Sequence, residues 1–195
     1  GSFYHLSGWR EVIDRAYGHP CHFLYTEQDG AISGILPLVH IRSRLFGNAL
    51  VSMPFCVYGG VLADDSDSEA RLLARASELA EELRVDYLEL RNRQPLADLP
   101  VKHSHVLFGT ALADSDEAIL AGIKKKQRAV IRQSLRQSLE YEVDSDLSTF
   151  YRIYSESVRN LGTPVFSRRY FALLSEVFAP YTEILTVRHQ GQPVS

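Results

Sequence analysis

The chain is 195 residues long, 45% hydrophobic and 23% charged, with a formal net charge of −3, the make-up of a globular fold with a real core. Its mildly acidic balance excludes a general nucleic-acid coat, which carries a basic excess over the whole domain, so a bound anion has to be held locally. No run approaches the roughly 18 apolar residues of a membrane span and no charged-then-apolar leader opens the chain, so the sequence reads as cytoplasmic.

Gly1 and Ser2, with no initiator Met and Met53 the single methionine, read as an expression scar joined to the interior of a longer protein. From there helices and strands alternate. "SGWREVIDRAYG" places Trp9, Ile13 and Tyr17 at i, i+4 and i+8 beside Val12 and Ala16, which predicts an amphipathic helix ended by Gly18. "CHFLYTEQDGAISGILPLVHIR" is two β-rich runs around a turn at Asp29 and Gly30, a hairpin signal. "NALVSMPF" reads as a strand and "VYGGVLADD" as a loop. "SDSEARLLARASELAEEL" reads as a helix capped by Ser66 or Asp67, with Leu72, Leu73, Ala76, Leu79, Ala80 and Leu83 inward. "VDYLELR" and "SHVLFGTAL" read as strands separated by a connection from Pro95 to Pro100. A long helix is expected over Ser115 to Ser138, with Asp114 and Glu117 spaced as a capping box. "LEYEV" is a short strand, "LSTFYRIYSESVRNLG" and "SRRYFALLSEVFA" are helices bracketing "TPVF", and "EILTVRHQGQPVS" is a hairpin. Cys21 and Cys56 have no CxxC partner, so they are expected to be reduced and packed as small hydrophobes.

The last elements echo the first. Tyr170, Leu174 and Phe178 repeat the spacing of Trp9, Ile13 and Tyr17, and "LTVRHQGQPVS" follows as "FLYTEQDGAIS" does earlier. Two such copies more than a hundred residues apart suggest duplicated domains. The expected boundaries are 1–2 for the scar, 3–113 for a complete first domain, and 114–195 for a basic helix and a truncated second domain. An unfinished sheet edge invites self-association.

The series "GILPL", "RSRLFG", "MPFCVYGGVLADD", "YLELR", a Lys/Arg-rich helix and "FYRIYSESVRNLGTPVFSRRYF" resembles the FemAB/FemX-like proteins over nearly the whole chain. It is most similar to the branch associated with PEP-CTERM and exopolysaccharide systems. The resemblance implies an α/β fold of two GNAT-like domains, each a mixed sheet flanked by helices. It also implies an N-acyltransferase, since characterised relatives move an aminoacyl group from aminoacyl-tRNA to an amine of a peptidoglycan precursor. It places the nucleotide-sugar pyrophosphate of the acceptor on Lys and Arg side chains, here Lys126 and Arg128 first and Lys125 and Arg132 behind them. It puts Tyr58, Gly59 and Gly60 near the acceptor cleft.

The residues themselves leave alternatives open. Lys124, Arg128, Arg132 and Arg136 at i, i+4 spacing form one cationic face, while Ile123, Val130, Ile131 and Leu135 mark the expected buried side. That face is either simply solvated or an anion site, because Arg forks grip phosphate oxygens and Lys supplies point charge. Gly59 and Gly60 either let backbone approach a ligand or serve a turn needing positive φ. Glu89 and Arg91 share a strand face as an ion pair. His103 and His105 share another without the further ligands a metal needs, so no metal is assigned. Thr163, Phe166 and Tyr170 line an acyl or peptide groove or pack a core.

There is no nucleophile elbow, Walker loop or dinucleotide fingerprint, nor the pyrophosphate loop of acetyl-CoA-binding GNAT proteins. No cofactor is assigned to this chain. Acyl-CoA and aminoacyl-tRNA remain as donor substrates, and a phosphorylated sugar or peptide precursor as acceptor. Direct attack of an amine on an activated ester needs proximity and oxyanion stabilisation more than a nucleophilic side chain, and no residue stands out as a base. Three readings follow: a transferase whose activity needs more than this chain, a non-catalytic module for a phosphorylated glycan or protein partner, and a basic helix contacting tRNA or a membrane surface.

Overall fold

In the computed structural model, which describes residues 2–45, 47–96, 99–104 and 106–195, the chain divides into two compact units, Gly1–His105 and Val106–Ser195. The first is organised by a long hairpin. Helix α1 (Gly8–Tyr17) buries Trp9, Val12 and Ile13, the apolar face its spacing predicts, and stops at Gly18. Strand β1 (Cys21–Gln28) turns through Asp29 and Gly30, at φ 50° and 79°, into β2 (Ala31–Ser43). Two consecutive positive φ values match the twist of a two-residue hairpin. β3 (Gly47–Ser52) pairs antiparallel with β2, with Val39 opposite Val51. Helix α2 (Ser66–Glu82) then crosses over and returns the chain as β5 (Tyr87–Glu89), parallel to β3.

The stretch read as a loop contributes a two-residue strand β4 (Leu62–Ala63) on β2, and the sheet runs β1-β2-β3-β5. Leu36, Leu38 and Leu50 of the sheet and Leu72, Ala76 and Leu79 of α2 form the core, with Leu24 and Leu88 packed against it. Full burial of each leucine contributes roughly 1.5–3 kcal/mol. α2 is capped by Asp65, one residue before the expected caps, because its carboxylate accepts from Ser68 N at 2.8 Å. The Ser68 hydroxyl bonds Ser33, which donates to Thr26, so the helix start is pinned to both arms of the hairpin.

The second unit departs further from the expected elements. Val106 to Leu112, expected as most of a strand, forms none, and its Val106, Leu107, Phe108 and Leu112 side chains are exposed; His105 lies outside the described residues. The long helix is two helices, α3 (Asp116–Gly122) and α4 (Lys125–Ser134). Ile123 and Lys124 between them take extended ψ near 140°, where Gly122 and a β-branched residue weaken the helical run. Ser115 caps α3 by accepting from Ala118 N at 3.2 Å, in place of the expected box from Asp114. No residue of α4 is buried: of the expected inner side, Val130 is 61% exposed and Leu135, just past the helix end, 72%, while Ile123 and Ile131 are half-buried.

Beyond it, β6 (Leu139–Asp144), α5 (Leu147–Asn160), α6 (Arg168–Val177), β7 (Ile184–His189) and β8 (Gln192–Pro193) follow the expected order. The three strands make an antiparallel sheet β6-β7-β8, with Tyr141 opposite Val187. The same face of that sheet carries exposed Leu139, Tyr141, Val143 and Leu185, while Thr186 on the other is buried. Both units are mixed layers of helices on sheets.

Candidate functional site

In the first unit the chemistry-bearing side chains gather on the loop after β3. Met53, buried, sits at φ 44°, a left-handed conformation that L side chains adopt only when their surroundings enforce it. Arg91 holds the loop that follows Met53. Its Nη1 donates to the carbonyls of Pro54 at 2.6 Å and Cys56 at 3.0 Å, and its Nε meets Glu89 Oε1 at 2.7 Å. Its backbone N–H donates to Ser52 Oγ, and its carbonyl accepts from both Gly59 N and Gly60 N at 3.1 Å. The Glu89–Arg91 pair read from the sequence is therefore one arm of a clamp on residues 54–60. We expect Arg91→Lys, which cannot fork to both carbonyls, to lower unfolding free energy by about 1–3 kcal/mol in denaturant titration.

The two loop glycines are tightly enclosed. Gly59 lies at φ 153° against Met53, and an added Cβ on Gly60 would fall 1.8 Å from Asn92 Oδ1, which accepts from Val61 N. His5 Nε2 donates to the Gly60 carbonyl at 2.9 Å. Tyr58 is half-buried, edge-on to Tyr4 at 4.8 Å, with the Arg93 guanidinium 5.3 Å over its ring. Burial pushes the Cys56 thiol up to about 12 and the Cys21 thiol up to about 11, so both free cysteines are held as unreactive thiols at neutral pH. Asn92, Arg93 and Tyr4 escaped the sequence reading, which saw Arg91 only as the partner of Glu89, because their roles rest on contacts with residues more than thirty positions away.

In the second unit Lys125, Lys126, Arg128 and Arg132 all lie on α4. From Ile123 to Ser138 the chain holds six cationic residues and no acidic one. Among the described residues none of the six makes an ion pair; Arg128 is half-buried and the others are exposed. Lys124 caps α4 with no side-chain bond to the first-turn N–H groups, so lysines crowd the positive end of the helix dipole. Phe166 and Tyr170 meet at the α5–α6 junction, ring centroids 5.3 Å apart, with Thr163 exposed before them. Tyr170 is buried, and the hub of that cluster is Phe171, which the sequence reading passed over: it contacts Phe150 at 5.1 Å and Tyr154 at 4.9 Å. Among the described residues no three His, Cys, Asp or Glu side chains converge as metal ligands; His105 of the "HSH" pair lies outside them.

A separate histidine group sits across the first sheet. His40 meets Asn48 Oδ1 through Nε2 at 2.6 Å, His22 lies 6.4 Å from His40, and His22 Nε2 is buried without a hydrogen-bond partner among the described residues. Burial first, then the His40 charge, lowers the affinity of His22 and of His19 for protons below the usual 6.5. Below that pH the unfolded chain binds more protons than the folded one, so stability falls as pH drops from 6.5 toward the folded values. Thermal melts should fall between pH 7.5 and pH 5, and His22→Asn with His19→Asn should flatten that slope. The capping carboxylates Asp65 and Asp146, held low by hydrogen bonds, add a further loss only below about pH 4.

No protein-family model and no curated protein matches the sequence. Among solved structures, the crystal structure of FemX is similar over 97% of this chain, with a TM-score of 0.65 at 16% identity. The chain has a FemX-like fold. It spans about half, 53%, of the FemX chain it matches. At that identity the FemX likeness carries the architecture alone, and the chemistry rests on the clamp around Tyr58, the unpaired cations of α4 and the aromatic junction. No helix among the described residues is long and apolar enough to cross a membrane.

Proposed function

We propose that the chain belongs to the machinery of an N-acyl or aminoacyl transfer to an amine of a cell-envelope or exopolysaccharide precursor, with α4 holding the phosphates of that substrate. The observation that carries this reading is the run of six cations from Lys124 to Arg136 with no acidic residue among them, four of them on α4, a helix with no buried residue and no side-chain cap on its first turn. Crowding them costs a few tenths of a kcal/mol per pair, a cost that a bound anion offsets. The FemX-like fold and the sequence resemblance support the transfer itself. In that reaction the acceptor amine attacks the ester carbonyl of an aminoacyl donor, the amide bond forms, and the donor's hydroxyl leaves with the proton the amine gives up. Lys126 and Arg128 hold the acceptor pyrophosphate, with Lys125 and Arg132 beside them; Tyr58, Gly59 and Gly60 border the acceptor, and Thr163, Phe166 and Tyr170 the acyl or peptide portion.

Salt dependence of binding tests the substrate class. A nucleotide-sugar precursor, whose two phosphates carry no condensed counterion atmosphere, should weaken only shallowly with salt, whereas a tRNA laid along the helix releases condensed counterions at every neutralised phosphate and gives a steep log–log slope. A steep slope with tRNA and no binding of the nucleotide sugar would overturn the assignment of α4 to the acceptor.

A further inference from the structure

The edge of the first sheet offers a second binding surface. β1 ends the strand order, so one side of its backbone has no strand beside it among the described residues. The outward groups follow from the register. Pro20 O accepts from His40 N, and Phe23 faces Pro37, which has no N–H to give. Bonded rungs to β2 therefore fall at His22, Leu24 and Thr26, and the N–H and C=O of Phe23 and Tyr25 point to the open edge.

Against that edge α2 forms a groove of about 350 Å³, whose lining includes Phe23, Tyr25, Thr26, Leu72, Arg71 and Arg75. Its volume is in the range that holds a short ligand segment. Its described lining contains two arginines and no carboxylate. Arg71 reaches Asp67 only at 3.9 Å and exchanges that partner at little cost, whereas Arg75 is forked onto Glu82 at 2.7 and 3.3 Å and bonded to Glu78 at 3.2 Å, contacts that a ligand carboxylate has to share or displace. An open strand edge, an apolar floor and cations on the facing helix together match an extended chain added as a further strand.

We propose that the groove between β1 and α2 binds an extended acidic peptide segment by strand addition, its main chain pairing with Phe23 and Tyr25 and its carboxylates meeting Arg71 and Arg75. This site is independent of the anion-binding role of α4. The test is selection from a random ten-residue peptide display library on the full chain, followed by fluorescence polarisation with a labelled winner. Selected sequences should alternate apolar and acidic residues, and their binding should slow amide exchange at Phe23 and Tyr25. Tyr25→Pro removes an outward N–H without breaking a rung to β2, so it should cut affinity about tenfold with the melting temperature retained. Arg71→Ala with Arg75→Ala should weaken binding similarly, and in a salt-dependent way. The proposal is overturned if no alternating acidic sequence is enriched, if exchange slows elsewhere, or if the double arginine variant binds as well as the parent. Concentration-dependent protection of the same two amides without peptide would assign the edge to a second copy and likewise overturn it.

Discussion

Gly59→Ala is expected to destabilise the chain by about 3 kcal/mol or more. Two independent penalties meet at this residue. Its φ of 153° is a conformation that L side chains rarely adopt, and an added Cβ would lie 2.5 Å from Met53 Cγ and 2.7 Å from Met53 Cβ. Met53 cannot retreat, because it is fully buried and already held at φ 44°. Gly60→Ala lacks the φ penalty, but its Cβ would meet Asn92 Oδ1 at 1.8 Å and Cγ at 2.6 Å and the Arg91 carbonyl carbon at 3.1 Å, so Asn92 must swing away, losing the bond from Val61, and the Arg91 backbone must give by a few tenths of an ångström. Gly109, with nothing within 4 Å of a Cβ and no unusual φ, is the control, and Gly109→Ala should leave the denaturation midpoint unchanged. A Gly59→Ala variant as stable as the parent would contradict the enclosed loop that places Tyr58.

The contrast between those glycines shows what the sequence makes legible. Local periodicity carried α1, the β1–β2 hairpin and the order of the later elements, since Trp9, Val12 and Ile13 mark a buried stripe and Asp29–Gly30 a turn that few other pairs make. It failed where neighbouring influences compete over one or two residues. Asp65 outcompetes Ser66 as a cap because its carboxylate also meets the Ser68 hydroxyl and Gln28. A single glycine followed by isoleucine splits one helical pattern into α3 and α4. It also failed where apolar content was read as a strand, over Val106 to Leu112, and where it was read as a buried side, at Val130 and Leu135 of the basic helix: these side chains are exposed.

For the candidate site, the cationic run and the glycine pair stand out in the sequence because they are local. Arg91 does not. Its importance comes from carbonyls at positions 54 and 56 and hydrogen bonds to residues 52, 59 and 60, and a two-residue spacing to Glu89 is all that a reader of the chain can see. Phe171 is likewise one aromatic among several in "SRRYF" until α5 brings Phe150 and Tyr154 to it.

The second large effect belongs to α4. If Lys126 and Arg128 grip a pyrophosphate, removing either side chain loses a charge-assisted contact worth roughly 1.5–3 kcal/mol, and binding should weaken about tenfold or more for each. Folding should scarcely respond, because no residue of α4 is buried and each lost charge also relieves repulsion from its neighbours. A purely solvated cationic face has the opposite signature: unchanged binding and a slightly steadier helix. The deciding measurement is calorimetric titration of a UDP-sugar precursor into the parent chain and its Lys126→Ala and Arg128→Ala variants, with thermal melts alongside. Measurable binding in the parent, tenfold weaker in each variant at equal melting temperature, is the predicted result; equal affinity in all three would contradict it.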